Sequence, residues 1–199
     1  MDNGRLLLVR HGESTWNAES RWQGAADPPL SDLGERQAIA AVPAVAALAI
    51  TALVTSDLVR AQRTAALVAP PGIEIDLEPA FRERNAGEWT GLTRAEIEER
   101  FPGDLAAWRS PPGFEQDEPL LARVVPALTA LLAADGVVLV VTHGGVIRTV
   151  ERVLGAPSVA VPNLGGRWVH SDGAGGLALG ERDLLIDPDE VPLTIPEQL

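Results

Sequence analysis

The chain contains three histidines, and two of them, His11 and His143, stand just beyond an apolar run and directly before a glycine. The runs are LLLV, ending at Val9, and VVLVV, ending at Val141; a third, ALVT, ends at Thr55 and leads through Ser56-Asp57 to Arg60. Short continuous apolar runs read as buried strands of a parallel sheet. In open α/β sheets a ligand binds beyond the carboxyl ends of such strands. Arg10, His11, Arg60 and His143 therefore converge on one sheet edge. Gly12, Gly144 and Gly145 let backbone N–H groups approach a ligand, and a helix starting near Val146 would turn its positive end to an anion. Two imidazoles and two guanidiniums suit a tetrahedral dianion such as phosphate, which arginine holds with its planar fork. Taken singly, a histidine after a strand is more often a hydrogen-bonded structural residue. A metal on His11 and His143 is a further reading, but Arg10 would repel a cation and no regular ligand spacing is present, so no metal is assigned.

The elements that must carry these residues alternate. Strands are expected at Leu6 to Val9, Ala52 to Thr55 and Val137 to Val141, and helices at Ser31 to Ile50, Leu58 to Ala69, Thr93 to Phe101, Pro119 to Ala134 and Val146 to Leu154. Thr93 and Glu96 form a capping box at one helix start. Ile73 to Leu77 adds a strand, and Arg167 to His170 with Gly176 to Leu179 read as a pair at a sheet edge. The alternation predicts an α/β fold, a three-layer sandwich with a mostly parallel central sheet flanked by helices. One domain is expected over residues 1–186, followed by an acidic, proline-containing tail over 187–199 that is extended and loosely docked.

Composition narrows the partners. At 199 residues the chain can bury roughly 70% of its unfolded surface without staples. It has no cysteine, which removes thiol nucleophiles, disulfides and cysteine-based zinc sites, and its net charge of −12 argues against nucleic acid and anionic membranes as partners. The start runs into the first strand without a signal-like pattern, which points to the cytoplasm. Residues 38–56 carry no charge, but alanine dominates them and Pro43 and Thr51 interrupt them, so a helix followed by a strand is expected rather than a membrane span. A homodimer is left open.

Five ordered blocks carry a family resemblance: LLLVRHGESTWN from Leu6, RWQGAADPPLSDLGERQA from Arg21, SDLVRAQRTA from Ser56, RERNAGEWTGLT from Arg82 and VVTHGGVIR from Val140. Together they resemble the histidine phosphatase superfamily, also called the phosphoglycerate mutase-like family. The resemblance implies that His11 accepts the phosphoryl group, that Arg10, Arg60 and His143 hold it, and that Asn17 contacts it. It also implies that Glu83 protonates the leaving oxygen; by sequence proximity alone Glu13 and Glu88 are rivals. Arg63 and Thr90 depart from the usual Gln and Glu of their blocks, at positions without a core role. A neutral imidazole flanked by cations is a sensible attacker of a charged phosphate monoester, and no metal or other cofactor is required.

The acceptor of the phosphoryl group separates the branches of the family. Gln23-Gly24, Asn85-Ala86 and the short step from Gly91 to Glu115 resemble the phosphatase branch, where mutases usually carry Thr-Gly and His-Tyr. The expected function is thus hydrolysis of a small phosphomonoester; the alternatives are a phosphoglycerate mutase and a non-catalytic module that binds a phospho-ligand. Gln23, Gly24 and Gly144 join Asn17 as expected phosphate or substrate contacts. A cap insertion is expected at about 89–120, where Trp89, Trp108 and Phe114 could stack on a sugar-like group, and Arg84, Arg94 and Arg109 could hold a second acidic group. The blocks SDLVRA, GEWTGLTRAEI and FPGDLAAWR are similar to those of phosphatases acting on glucosyl-3-phosphoglycerate and similar metabolites, which makes such compounds candidate substrates. His170, outside every block, is expected at the surface.

Overall fold

Along the first strand Leu7 and Val9 pack toward one face and Leu6 and Leu8 toward the other, and all four are buried. A strand covered on both sides cannot alternate apolar with polar residues, so its sequence is a continuous run. The computed structural model describes residues 4–157 and 159–195. Six strands form one sheet: β1 (Arg5–Arg10), β2 (Ala52–Thr55), β3 (Ile75–Leu77), β4 (Val137–Thr142), β5 (Gly165–Ser171) and β6 (Leu177–Leu184), in the order β3-β2-β4-β1-β5-β6. The first four named in that order run parallel, and β5 and β6 are antiparallel to their neighbours.

Helices α1 (Thr15–Ala18), α2 (Asp32–Ala40), α3 (Val42–Ala47), α4 (Val59–Val68), α5 (Arg94–Arg100), α6 (Asp117–Leu131) and α7 (Gly144–Val153) complete the elements. Ala38, Val45, Ala61 and Ala65 cover one face of the sheet, so α2, α3 and α4 form one outer layer. Leu120, Val124, Leu128, Ile147 and Val150 cover the other, which makes α6 and α7 the opposite layer. The expected three-layer α/β sandwich is therefore the observed one. Trp89, Leu92, Ile97 and Leu105 build a small separate cluster with Trp22, Phe101 and Phe114.

Several boundaries differ from expectation for local reasons. The helix expected from Ser31 to Ile50 is two helices that meet at Ala41, because Pro43 has no N–H to continue the ladder. The uncharged stretch 38–56 is thus divided among α2, α3 and β2, and no helix among the described residues is long and apolar enough to cross a membrane. α7 begins two residues earlier than expected, directly after His143. The pair β5 and β6 is longer than its apolar content suggested, since an antiparallel edge tolerates polar residues. His170 is half-buried in β5 rather than at the surface, paired with Arg5 of β1.

The tail is not loosely docked. Pro192 accepts a hydrogen bond from Gln37 Nε2 (2.8 Å), Thr194 hydrogen-bonds Glu13, and Leu193 packs on the core. Composition registers the acidic residues and prolines but not these specific contacts. Residues 196–199 of the tail lie outside the described residues.

One contact fixes the loop after β1 against α2. A Cβ on Gly34 would stand 1.9 Å from the Glu13 carbonyl oxygen, and a Cβ on Gly12 would stand 2.5 Å from the Gly34 carbonyl oxygen. Two glycines therefore allow backbone to touch backbone. Gly34 has helical geometry, so by propensity alone alanine would improve α2 by about 1 kcal/mol. Gly34→Ala is nevertheless expected to lower stability by about 1–3 kcal/mol, because the overlap is with backbone that cannot rotate away. Urea unfolding measures it; a raised midpoint would show that the loop yields freely.

Candidate active site

β1 and β4 lie side by side in parallel register, Arg10 opposite Thr142, so their next residues, His11 and His143, emerge together. His11 N–H continues the ladder to the Thr142 carbonyl (3.0 Å), and the two imidazole rings stand 5.1 Å apart, edge to face. That distance is close to the spacing of neighbouring strands.

The loop bearing His11 is clamped at each residue. Asn163 Nδ2 donates to the His11 carbonyl (2.6 Å), Gly12 N–H donates to Thr64 Oγ1 (3.0 Å), and Glu13 N–H donates to Gln37 Oε1 (2.8 Å). The His11 ring is oriented by its own backbone: Nδ1 lies 2.6 Å from the Gly12 carbonyl oxygen, which can only accept, so Nδ1 carries the hydrogen. Nε2 is left with its lone pair, and Arg60 Nε donates toward it at 3.2 Å. Burial, then Arg60 and Arg10, hold the His11 pKa well below its ordinary value, so the ring is neutral at physiological pH.

Arg10 and Arg60 are buried without a carboxylate partner among the described residues. Arg10 Nη1 donates to the Val161 carbonyl (2.8 Å), and Arg60 donates to those of Ala26 (2.7 Å) and Gly24 (3.0 Å). Burial lowers each guanidinium from 12.5 to about 10, which still leaves both charged at neutral pH. His143 is fully buried against His11 instead of lining the cavity. Its Nε2 shares a hydrogen bond with Ser56 Oγ (2.9 Å), and its Nδ1 has no partner among the described residues. Burial and the nearby Arg60, His11 and Arg10 hold it neutral as well.

Ser14 organises the two amides. Its N–H donates to Asn17 Oδ1 (3.1 Å) and its hydroxyl donates to Gln23 Oε1 (2.8 Å). With both amide oxygens tied back, the NH2 groups are the free polar ends of two side chains that line the cavity. Gly24, at φ 54°, approaches Ala86 so closely that a Cβ would meet its nitrogen at 2.6 Å.

Glu83 accepts from Gly145 N–H (3.0 Å) at the start of α7 and from Arg84 N–H (2.8 Å). A Cβ on Gly145 would overlap Glu83 Oε1 at 2.2 Å, so this glycine is what admits the carboxylate. Of the three acids that sequence proximity left as rivals, Glu83 alone lines the cavity. Glu13 is buried and accepts from Ser31 (2.6 Å) and Thr194, and Glu88 is exposed outside the cavity. Arg10, His11, Asn17, Gln23, Gly24, Arg60, Glu83 and Gly144 all border one cavity of about 660 Å³.

The outer part of this cavity shows what sequence reasoning missed. Trp89, Trp108 and Phe114 line it as expected, Trp89 being buried between Trp22 (5.1 Å) and Phe114 (5.8 Å). Arg84 lines it, but Arg94 and Arg109 do not: Arg94 is exposed on α5, and Arg109 pairs with Asp104 at 64% exposure. Arg148 and Arg152, on the turns of α7 that follow His143, take the place expected of them. Their helical spacing from the glycines was the available signal. Val161 and Asn163 left no signal, since each acts through a loop that only the fold brings near. Among the described residues no three His, Asp or Glu side chains gather as a metal site would require.

Comparison with known proteins agrees with this geometry. The histidine phosphatase superfamily (branch 1) profile matches residues 6–167. A glucosyl-3-phosphoglycerate phosphatase of Mycolicibacterium vanbaalenii is 36% identical over 189 residues, covering 85% of this chain and 84% of that protein. A probable phosphoglycerate mutase of Cronobacter sakazakii is 40% identical over 167 residues, with 78% and 77% covered. A solved structure of a mycobacterial glucosyl-3-phosphoglycerate phosphatase in complex with VO3 superposes with a TM-score of 0.79 at 31% identity, covering 90% of this chain and 97% of that one. The clamped loop, the paired imidazoles and the donor-lined cavity are thus those of a chain that belongs to the histidine phosphatase superfamily.

Proposed function

We propose that the protein hydrolyses a small phosphomonoester through a phosphohistidine on His11. The observation that carries this reading is the His11 ring itself, neutral, oriented through Nδ1, and presenting Nε2 among fixed donors. Arg10, Arg60 and the NH2 groups of Asn17 and Gln23 surround the three non-bridging oxygens of the phosphoryl group. His143, buried against His11 rather than lining the cavity, backs the attacking ring with a second neutral imidazole. The Nε2 lone pair attacks phosphorus while the ester bond breaks and Glu83 passes its proton to the departing oxygen. Water then attacks the phosphohistidine, Glu83 takes its proton, the P–N bond breaks, and phosphate leaves with His11 again neutral.

The cavity exceeds what a lone phosphate needs, so the ester carries a sizeable organic part. Trp89, Trp108 and Phe114 offer it an apolar wall, which residues 89–120 would provide as a cap. A glycosylated glycerate phosphate, the substrate named for the mycobacterial relatives, fits such a cavity. The 40% identity to a probable phosphoglycerate mutase makes isomerisation the second reading. Incubation with 3-phosphoglycerate, with and without 2,3-bisphosphoglycerate, alongside a panel of sugar and glycerate phosphates, separates them. Steady phosphate release with little 2-phosphoglycerate is expected; rapid bisphosphate-dependent isomerisation without phosphate release would overturn the hydrolase reading.

His11→Ala is expected to abolish both turnover and acid-labile labelling, and labelling that persists on His143 would reverse their roles. Glu83→Gln is expected to slow esters of poor leaving groups by about 10²- to 10⁴-fold. Aryl phosphates should lose less, since a phenolate needs less protonation; equal losses along a leaving-group series would remove Glu83 from the role of acid.

A further inference from the structure

Three arginines line the outer cavity beside Glu83, and they are not equivalent. Arg84 is engaged through both terminal nitrogens, donating to the Glu115 carbonyl (2.5 Å), Asp117 (2.6 Å) and Thr149 Oγ1 (2.7 Å). Arg152 is held by the other oxygen of Asp117 (2.6 Å). Arg148 differs: its Nε donates to the Gly144 carbonyl (3.2 Å), and its two terminal nitrogens have no acceptor among the described residues. Glu118 also borders the cavity, exposed at the rim, so the nearby carboxylates are Glu83, the doubly paired Asp117, this one, and Glu151, which is paired with Arg167 and Arg182.

Arg148 stands next to the phosphoryl well. Gly144, whose carbonyl it holds, also passes within contact distance of Arg10, an added Cβ lying 3.5 Å from Arg10 Cδ. Burial lowers the Arg148 pKa most, Arg84 and Arg152 add to the lowering, and Glu83 and Glu151 oppose it. A half-buried guanidinium with two free donor groups facing a cavity is completed by a planar anion, to which it can donate in parallel.

We propose that Arg148 is a specificity residue that binds the carboxylate of a phosphorylated hydroxy acid, in a second anion subsite adjoining the phosphoryl well. This assignment rests on the phosphomonoesterase reading above. In a glycerate phosphate the carboxylate ends a short carbon chain that begins at the ester oxygen. Glu83 reaches that oxygen, and Arg148 is Glu83's cationic neighbour. The short chain therefore spans from one to the other. The aromatic wall remains for a further substituent.

The configurationally matched esters D-3-phosphoglycerate and sn-glycerol 1-phosphate differ by carboxylate against hydroxymethyl. The wild-type protein is expected to favour the first in kcat/KM, and Arg148→Gln to lower that preference tenfold or more, mainly through KM. Arg148→Lys should restore part of it, as charge without the fork. As a check on the unsubstituted protein, D-glycerate should compete against p-nitrophenyl phosphate where glycerol does not. A wild-type preference at or below unity, an unchanged preference in Arg148→Gln, or failure of D-glycerate to compete would each overturn the subsite. Failure to release phosphate from any ester, p-nitrophenyl phosphate included, would instead defeat the phosphomonoesterase reading on which it rests.

Discussion

Two guanidinium groups, Arg10 and Arg60, are kept charged and nearly free of water, and neither forms an ion pair with a carboxylate among the described residues. Burying a charge is costly unless dipoles replace its hydration. Here the replacements are the backbone carbonyls of Val161, Ala26 and Gly24. Carbonyls lower the cost without cancelling the charge, so the positive potential stays available to an anion that enters. Burial first, and the same potential after it, keep His11 and His143 neutral.

Those carbonyls must themselves be held, and the structure shows how far the support extends. The loop that presents Val161 is tied down by Arg182 of β6, which donates to the carbonyls of Val159 (3.0 Å) and Ala160 (3.1 Å). Arg182 is in turn paired with Glu151, a buried carboxylate of α7, at 2.6 Å. An edge strand, a helix and a loop thus share one ionic joint, and its far end is the hydrogen bond to Arg10. Val161 is also packed in the core, and the ionic joint adds to that packing.

The sheet and the converging residues were legible because buried parallel strands leave continuous apolar runs and because the chemistry sits just beyond their ends. Arg10, His11, Arg60 and His143 could be named from position alone, but not the choice of Glu83 over Glu13 and Glu88. That choice depends on Gly145, whose missing side chain admits the Glu83 carboxylate to the cavity, and on Ser31 and Thr194, which occupy Glu13 elsewhere. Tertiary contacts of this kind have no local pattern. The break at Ala41 was foreseeable from Pro43, whereas the docking of the tail through Pro192 and Thr194 was not. Arg94 and Arg109 carried the right charge in the right segment, yet their side chains leave the cavity for solvent and for Asp104.

The strand order has a kinetic meaning. β1 lies between β4 and β5, both contributed by residues beyond 136, while β2 and β3 cannot pair with it directly. During synthesis, therefore, one of the most apolar segments leaves the ribosome before the other strands of the sheet and must wait until β4, which begins at Val137, before either of its edges is covered. Such non-local pairing slows folding and leaves a strand exposed to wrong partners in the interval. Insertion of β4 between β1 and β2 is also the event that sets His143 beside His11. Completion of the sheet and the juxtaposition of His11 and His143 are consequently one step, and no partly folded form of this topology can bring the two imidazoles together.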